Sequence, residues 1–200
     1  MTEILWHGRG GQGAFTAAKL LGAAFSLSDE KYALAFPSFG PERRGAPILA
    51  FTKLDDKPIG DRSQIKKADY VVFLDETLFS DSAYSEVKEG GKILLNTKDL
   101  SGLVSSTSSD SGTVSAIGGK NVQLIPFDAD RIALEILKMP VTNTVMLALL
   151  SGISGIVSEE ELSRAVEEYM PSKIASKNVV LVKEVFQKLR NDGLIGEEKK

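Results

Sequence analysis

Short apolar runs alternating with segments of helical period predict an α/β fold: a Rossmann-like, mostly parallel sheet flanked by helices, with a helical C-terminal portion. Two further observations carry that reading. The runs Tyr70-Val71-Val72-Phe73-Leu74 and Lys92-Ile93-Leu94-Leu95 are apolar without alternation, as strands buried on both faces are, and they end in Asp75 and Asn96. The run Ile4-Leu5-Trp6 leads into Gly8-Arg9-Gly10-Gly11-Gln12-Gly13 and then into a helix-like stretch from Ala14 to Leu21, which makes a strand, a tight turn and a helix in sequence.

In chain order, strands are expected over residues 3–7, 31–36, 47–54, 70–74, 91–96 and 122–126. The fourth and fifth read as central parallel strands that end at a functional edge. From Asp128 the pattern turns helical. Asp128 is the cap candidate for a helix over 128–138, which Met139-Pro140 stops. A second helix is expected from Thr142 or Asn143 to about Leu150. Ser158-Glu159-Glu160-Glu161 starts a third as a capping box, ending before Pro171, and residues 172–191 form the last, stopped by Gly193. Residues 101–119, rich in Ser and Gly, read as a variable loop, and residues 194–200 as a frayed tail. The expectation is one domain over residues 1–193.

Composition narrows the function. The chain has 200 residues, 42% hydrophobic and 26% charged, with a formal net charge of −3, which argues against a nucleic-acid or anionic-membrane partner. It has no cysteine, so disulfides, thiolate metal sites, a cysteine nucleophile and cysteine-ligated iron–sulfur clusters are excluded on this chain. Neither a leader pattern nor a bilayer-spanning apolar stretch stands out, and the expected location is cytoplasmic.

Gly8, Gly10 and Gly13 satisfy G-x-G-x-x-G in the strand-before, helix-after context that gives the pattern meaning. Glycine tolerates positive φ and holds no Cβ between backbone and ligand, while the N–H groups and dipole of the next helix favour an anion. A tight turn that needs glycine for geometry alone is the plainer alternative. The nicotinamide version of the motif also wants an acid at the end of the second strand, where this chain reads Ala35-Phe36-Pro37. No Gly-Lys-Ser/Thr follows, so the loop is not a P-loop.

A second loop, Phe36-Pro37-Ser38-Phe39-Gly40-Pro41-Glu42-Arg43-Arg44-Gly45-Ala46-Pro47, is stiff and carries two guanidinium groups. Arg43 and Arg44 either contact a phosphate or carboxylate or pair with acids of this chain or a partner. Phe36 and Phe39 read as core or interface aromatics. His7, the single histidine, reads as hydrogen-bonded at a strand end rather than as a proton carrier. Asp75 and Glu76 are either paired carboxylates or caps of the next helix, and capping is the simpler role. Asn143 either reaches the glycine loop or caps its own helix, and again the cap is simpler. No metal-ligand spacing and no Ser-His-Asp arrangement is present, so the chain lacks a catalytic apparatus of its own.

These motifs together, with Ser63-Gln64-Ile65, Leu74-Asp75 and Asn143-Thr144-Val145-Met146 in the same order, resemble the gamma subunit or gamma domain of the 2-oxoacid:ferredoxin oxidoreductases over about residues 1–190. The resemblance implies oxidative decarboxylation of a 2-oxoacid (EC 1.2.7) with coenzyme A as acyl acceptor and ferredoxin as electron acceptor. It places thiamine diphosphate, magnesium and [4Fe-4S] clusters on alpha, beta and delta-type partner subunits, with ferredoxin met only indirectly. This chain would contribute coenzyme A binding and assembly through Gly8, Arg9, Gly10, Gly11, Gln12, Gly13, Arg43, Arg44 and Asn143, with no catalytic residue. The Pro-Glu-Arg-Arg-Gly loop looks closer to the pyruvate branch than to the 2-oxoglutarate branch. A free-standing nucleotide-binding module for NAD or flavin, or a purely structural scaffold, remain the competing readings.

Overall fold

The computed structural model describes residues 1–38, 44–100 and 121–196. Arg43, Phe39, the Ser/Gly-rich 101–119 segment and the last four residues of the tail therefore lie outside the described residues. Six strands form one sheet: β1 (Thr2–Arg9), β2 (Tyr32–Pro37), β3 (Pro47–Asp55), β4 (Ala68–Phe73), β5 (Val87–Asn96) and β6 (Gln123–Phe127). Their order is β2-β3-β1-β4-β5-β6. β1, β4, β5 and β6 pair in parallel, while β3 runs antiparallel to both β1 and β2. The sheet is thus mostly parallel, with one strand reversed.

Five α-helices follow the expected positions: α1 (Ala14–Phe25), α2 (Ala129–Leu137), α3 (Asn143–Ser154), α4 (Glu159–Tyr169) and α5 (Ser172–Asn191). Asp128 caps α2 by accepting from the Arg131 N–H, and Ser158 with Glu161 closes the capping box of α4. Pro171 separates α4 from α5.

All five helices pack on one face of the sheet. Period-2 alternation sends Ile4 and Trp6, Val72 and Leu74, and Leu94 toward them. Leu5, Val71, Phe73, Ile93 and Leu95 point to the other face, where Ile65, Phe79, Ala83 and Tyr84 cover them from loops and two short 3-10 helices, Glu76–Leu78 and Asp81–Glu86. This second cover is tied down by a buried charge. Lys53 on β3, 1% exposed at its side chain, reaches Asp61 at 2.5 Å, and the partner is needed because an isolated buried ammonium would be costly. On the helical side, Trp6 Nε1 donates to Thr52 Oγ1, which donates on to the Ala18 carbonyl, so a buried polar path joins β1, β3 and α1.

Reversal of β3 decides where the functional loops meet. Because Pro47 at the start of β3 pairs with Arg9 at the end of β1, residues 44–46, which lead into β3, are delivered beside the glycine loop.

Candidate functional site

The glycine loop leaves β1 at Arg9 and enters α1 at Ala14. Gly11 and Gly13 have φ of +97° and +82°, the left-handed region that other residues pay to occupy. A side chain on Gly11 would meet nothing within 4 Å, so its backbone lies open. Gly13 is closed on one side, since an added Cβ would lie 2.5 Å from Asn143 Nδ2. No side chain caps α1, which leaves the N–H groups of its first turn for solvent or a ligand. Gly10 exchanges backbone hydrogen bonds with the second loop: its N–H donates to Ala46 O at 2.8 Å, and Gly45 N–H donates to Gly10 O at 3.0 Å.

The side chains of the loop turn inward. Gln12 Oε1 accepts from the Arg9 N–H at 2.7 Å, and Gln12 Nε2 donates to Asp75 Oδ2 at 3.1 Å. Arg9 donates from Nε to Asp75 Oδ2, from Nη1 to Gly45 O and from Nη2 to Thr77 Oγ1. Asp75, two residues beyond β4, also accepts from the Thr77 N–H and hydroxyl. Burial alone would raise its carboxyl pKa, but the hydrogen bonds from Thr77, Gln12 and Arg9 outweigh that and hold it below the ordinary value. Asp75 therefore caps its short helix and anchors the glycine loop as well. Sequence reading found the cap and missed the anchor; the signal was an arginine inside the loop and an acid at the end of the adjacent strand.

A cavity of about 430 Å³ is lined by Gly10, Gly11, Gly13, the first turn of α1, Arg44 and Ile48. The structure thus brings Arg44 and the glycine loop to one pocket, with Asn143 behind Gly13. Asn143 donates from Nδ2 to Gly13 O at 3.4 Å, a long bond. It does not cap α3: it is the first helical residue, and the cap position belongs to Thr142. His7 Nε2 lies 2.7 Å from Glu86 Oε2 with its ring stacked 4.2 Å from Phe73, the hydrogen-bonded role expected of it. Phe36 stacks on Phe51. Among the described residues no group of three or more His, Asp or Glu side chains is placed to hold a metal ion, and no helix is long and apolar enough to cross a membrane.

The family model for pyruvate ferredoxin/flavodoxin oxidoreductase matches residues 3–188. The chain belongs to this family. Among relatives of the oxidoreductase family, pyruvate synthase subunit PorC of Methanothermobacter marburgensis is 43% identical over 96% of this chain and 100% of its own. The pyruvate/ketoisovalerate oxidoreductases common subunit gamma of Thermococcus litoralis is 41% identical over 94% of this chain and 97% of its own. The solved pyruvate oxidoreductase subunit PORC (EC 1.2.7.1) of Thermotoga maritima superposes with a TM-score of 0.73 at 34% identity, covering 93% of this chain and 95% of that one. A 2-oxoglutarate:ferredoxin oxidoreductase from Magnetococcus marinus, solved with 2-oxoglutarate, coenzyme A and succinyl-CoA bound, contains the same fold at a TM-score of 0.66. It is 16% identical and covers 100% of this chain and 32% of that one. As a gamma subunit of a pyruvate/2-oxoacid ferredoxin oxidoreductase, the chain is one part of a multisubunit assembly.

Proposed function

We propose that this gamma subunit holds the phosphates of coenzyme A for a pyruvate:ferredoxin oxidoreductase. The assembled enzyme would convert pyruvate, coenzyme A and oxidised ferredoxin to acetyl-CoA, CO2 and reduced ferredoxin. The observation that carries this reading is the shared pocket of Gly10, Gly11, Gly13, the α1 N-terminus and Arg44. Open glycine backbone at positive φ lets a phosphate approach, the uncapped first turn offers N–H donors, and the guanidinium supplies the opposite charge.

Within that pocket Gly8 to Gly13 form the cradle, with Arg9 and Gln12 fixing its shape through Asp75 and Asn143 backing Gly13. Arg43, which precedes Arg44 in the sequence, is the second guanidinium assigned to the same phosphates. Coenzyme A in the Magnetococcus marinus enzyme, which shares the fold, and the pyruvate named for the relatives both favour this assignment. Thiamine diphosphate, magnesium and [4Fe-4S] clusters belong to alpha, beta and delta-type partners; this chain has no thiolate to hold a cluster. The working unit is a single domain over residues 1–193, in a cytoplasmic complex whose isolated gamma chain is inactive.

Calorimetry on the assembled complex tests the reading. Arg43→Ala with Arg44→Ala is expected to weaken coenzyme A binding at least about tenfold, since charge-assisted hydrogen bonds are lost. Unchanged affinity would remove the assignment.

A further inference from the structure

The sheet ends on one side at β2, and among the described residues that edge is open. Ser38 N–H donates to Leu49 O at 2.8 Å, one step beyond the Pro37–Ala50 pair, which fixes the phase of the β2–β3 ladder. Antiparallel pairs alternate, so Leu34 and Phe36 turn their backbone groups to β3, whereas Ala33 and Ala35 turn theirs outward together with the Pro37 carbonyl. These N–H donors and C=O acceptors form a row that no described strand pairs. Edges of this kind are ordinarily blunted by charge or by proline. The far edge, β6, has Pro126 within it, but the stretch from Tyr32 to Phe36 carries neither a charge nor a proline.

Beside that edge lies a groove of about 410 Å³, between β2, α1 and the end of α4. Ala33 and Ala35 line it from the strand, Leu20 and Ala23 from α1, and Met170 from beyond α4, so its walls are apolar and mostly small. Lys19 is the charged side chain of this lining. It is exposed, its Nζ stands 4.9 Å from the centroid of the Phe15 ring, and it meets no carboxylate among the described residues. An open strand edge flanked by a pocket for alternate side chains is the arrangement by which an extended segment adds to a sheet, the backbone supplying affinity and the pocket selectivity.

We propose that in the assembled oxidoreductase β2 is extended by a strand from a partner subunit. That segment pairs its backbone with Ala33 and Ala35, sets small apolar side chains into the groove at every second residue, and brings a carboxylate to Lys19. A second copy of this chain is the poorer occupant. β2 has no acid to offer, and a copy meeting its own edge would add another Lys19 to the same seam. Charge therefore favours a different chain, which a multisubunit enzyme provides. The inference is independent of the coenzyme A assignment, because neither Lys19 nor β2 lines the phosphate pocket.

Hydrogen–deuterium exchange at residue resolution, on the full chain alone and in the assembled complex, tests this. The Ala33 and Ala35 N–H groups should exchange near the unprotected rate in the chain alone and at least about tenfold more slowly in the complex. Equal rates in the two overturn the proposal. Protection in the chain alone that grows with its concentration also overturns it, since that would put a second copy on the edge. Two variants read the same contact through the Kd of this subunit for the rest of the complex. Ala35→Pro deletes an N–H that makes no bond within the chain, at an edge position where proline is tolerated, and an unchanged Tm verifies the fold. Its Kd is expected to rise about three- to tenfold, the loss of one hydrogen bond. Lys19→Ala alters an exposed helix position and keeps the test standing should proline disturb β2; its Kd is expected to rise about two- to fivefold, the loss of one exposed ion pair. Wild-type constants for both variants overturn the proposal.

Discussion

Asn143 occupies the space that a side chain on Gly13 would need: a Cβ at Gly13 would stand 2.5 Å from Asn143 Nδ2. The loop that begins α1 and the first residue of α3 are therefore fitted to each other at a glycine with φ of +82°. Gly13→Ala should cost about 1–2 kcal/mol for the left-handed backbone alone, read as a Tm lower by roughly 2–8 °C. Adding Asn143→Ala should recover the steric part of the loss and leave the backbone part, which a double-mutant cycle on Tm resolves.

Asp75 gathers the charged bonds of the glycine loop, so Asp75→Asn should lower stability by about 1.5–3 kcal/mol at neutral pH. The acid limb gives the sign. Its folded pKa lies below the ordinary 3.8, so its stabilisation is complete above that value and is lost as the pH falls through the folded pKa. Urea unfolding of both proteins from pH 7 down to pH 3 should show the wild-type advantage shrinking only at the acid end. A difference that persists unchanged to the lowest pH would mean that the charge contributes nothing.

Ser158→Ala opens the capping box of α4, where Ser158 Oγ accepts from the Glu161 N–H at 3.1 Å and Glu161 Oε2 accepts from the Ser158 N–H at 2.8 Å. About 1 kcal/mol should be lost, measured as a lower urea midpoint at constant slope. Enzyme activity of the assembled complex should be unaffected, because α4 does not line the phosphate pocket.

Thr52→Val keeps the shape of the side chain and removes its hydroxyl, leaving the Trp6 indole N–H and the Ala18 carbonyl without their shared partner. Stability should fall by about 1–3 kcal/mol, the cost of unmatched buried polar groups. Trp6 is the single tryptophan and fully buried, so its fluorescence follows the unfolding directly.

Strand and helix positions were readable because each carried a local signal. Tyr70 to Leu74 had an unbroken apolar run, α4 had its capping box and Pro171 its stop, and the described elements fall where those signals put them. Direction and side were not readable. Pro47 to Asp55 looks like any strand, and its reversal depends on the short β2–β3 connection; the gathering of all five helices on one face depends on crossovers that no single segment encodes. At the site, the glycine loop announced itself by composition, and Arg44 reached it as one of two alternatives weighed for that residue. Asn143 likewise reached it as one of two alternatives. The anchoring by Asp75 did not show, because it acts on residues more than 60 positions away. A short polar side chain after a strand or before a helix is read locally as a cap, and tertiary contact overrides that reading.

The two hydrogen bonds between Gly10 and the Gly45-Ala46 backbone continue the β1–β3 ladder past its last paired residues. The backbone that presents Arg44 and the backbone that presents the glycine amides consequently share no hinge between them. Moving one away from the other means unzipping the end of a sheet, not swinging a loop. Their spacing is set before any ligand arrives, so the entropy of ordering the cradle is spent during folding and association begins from a preorganised receptor.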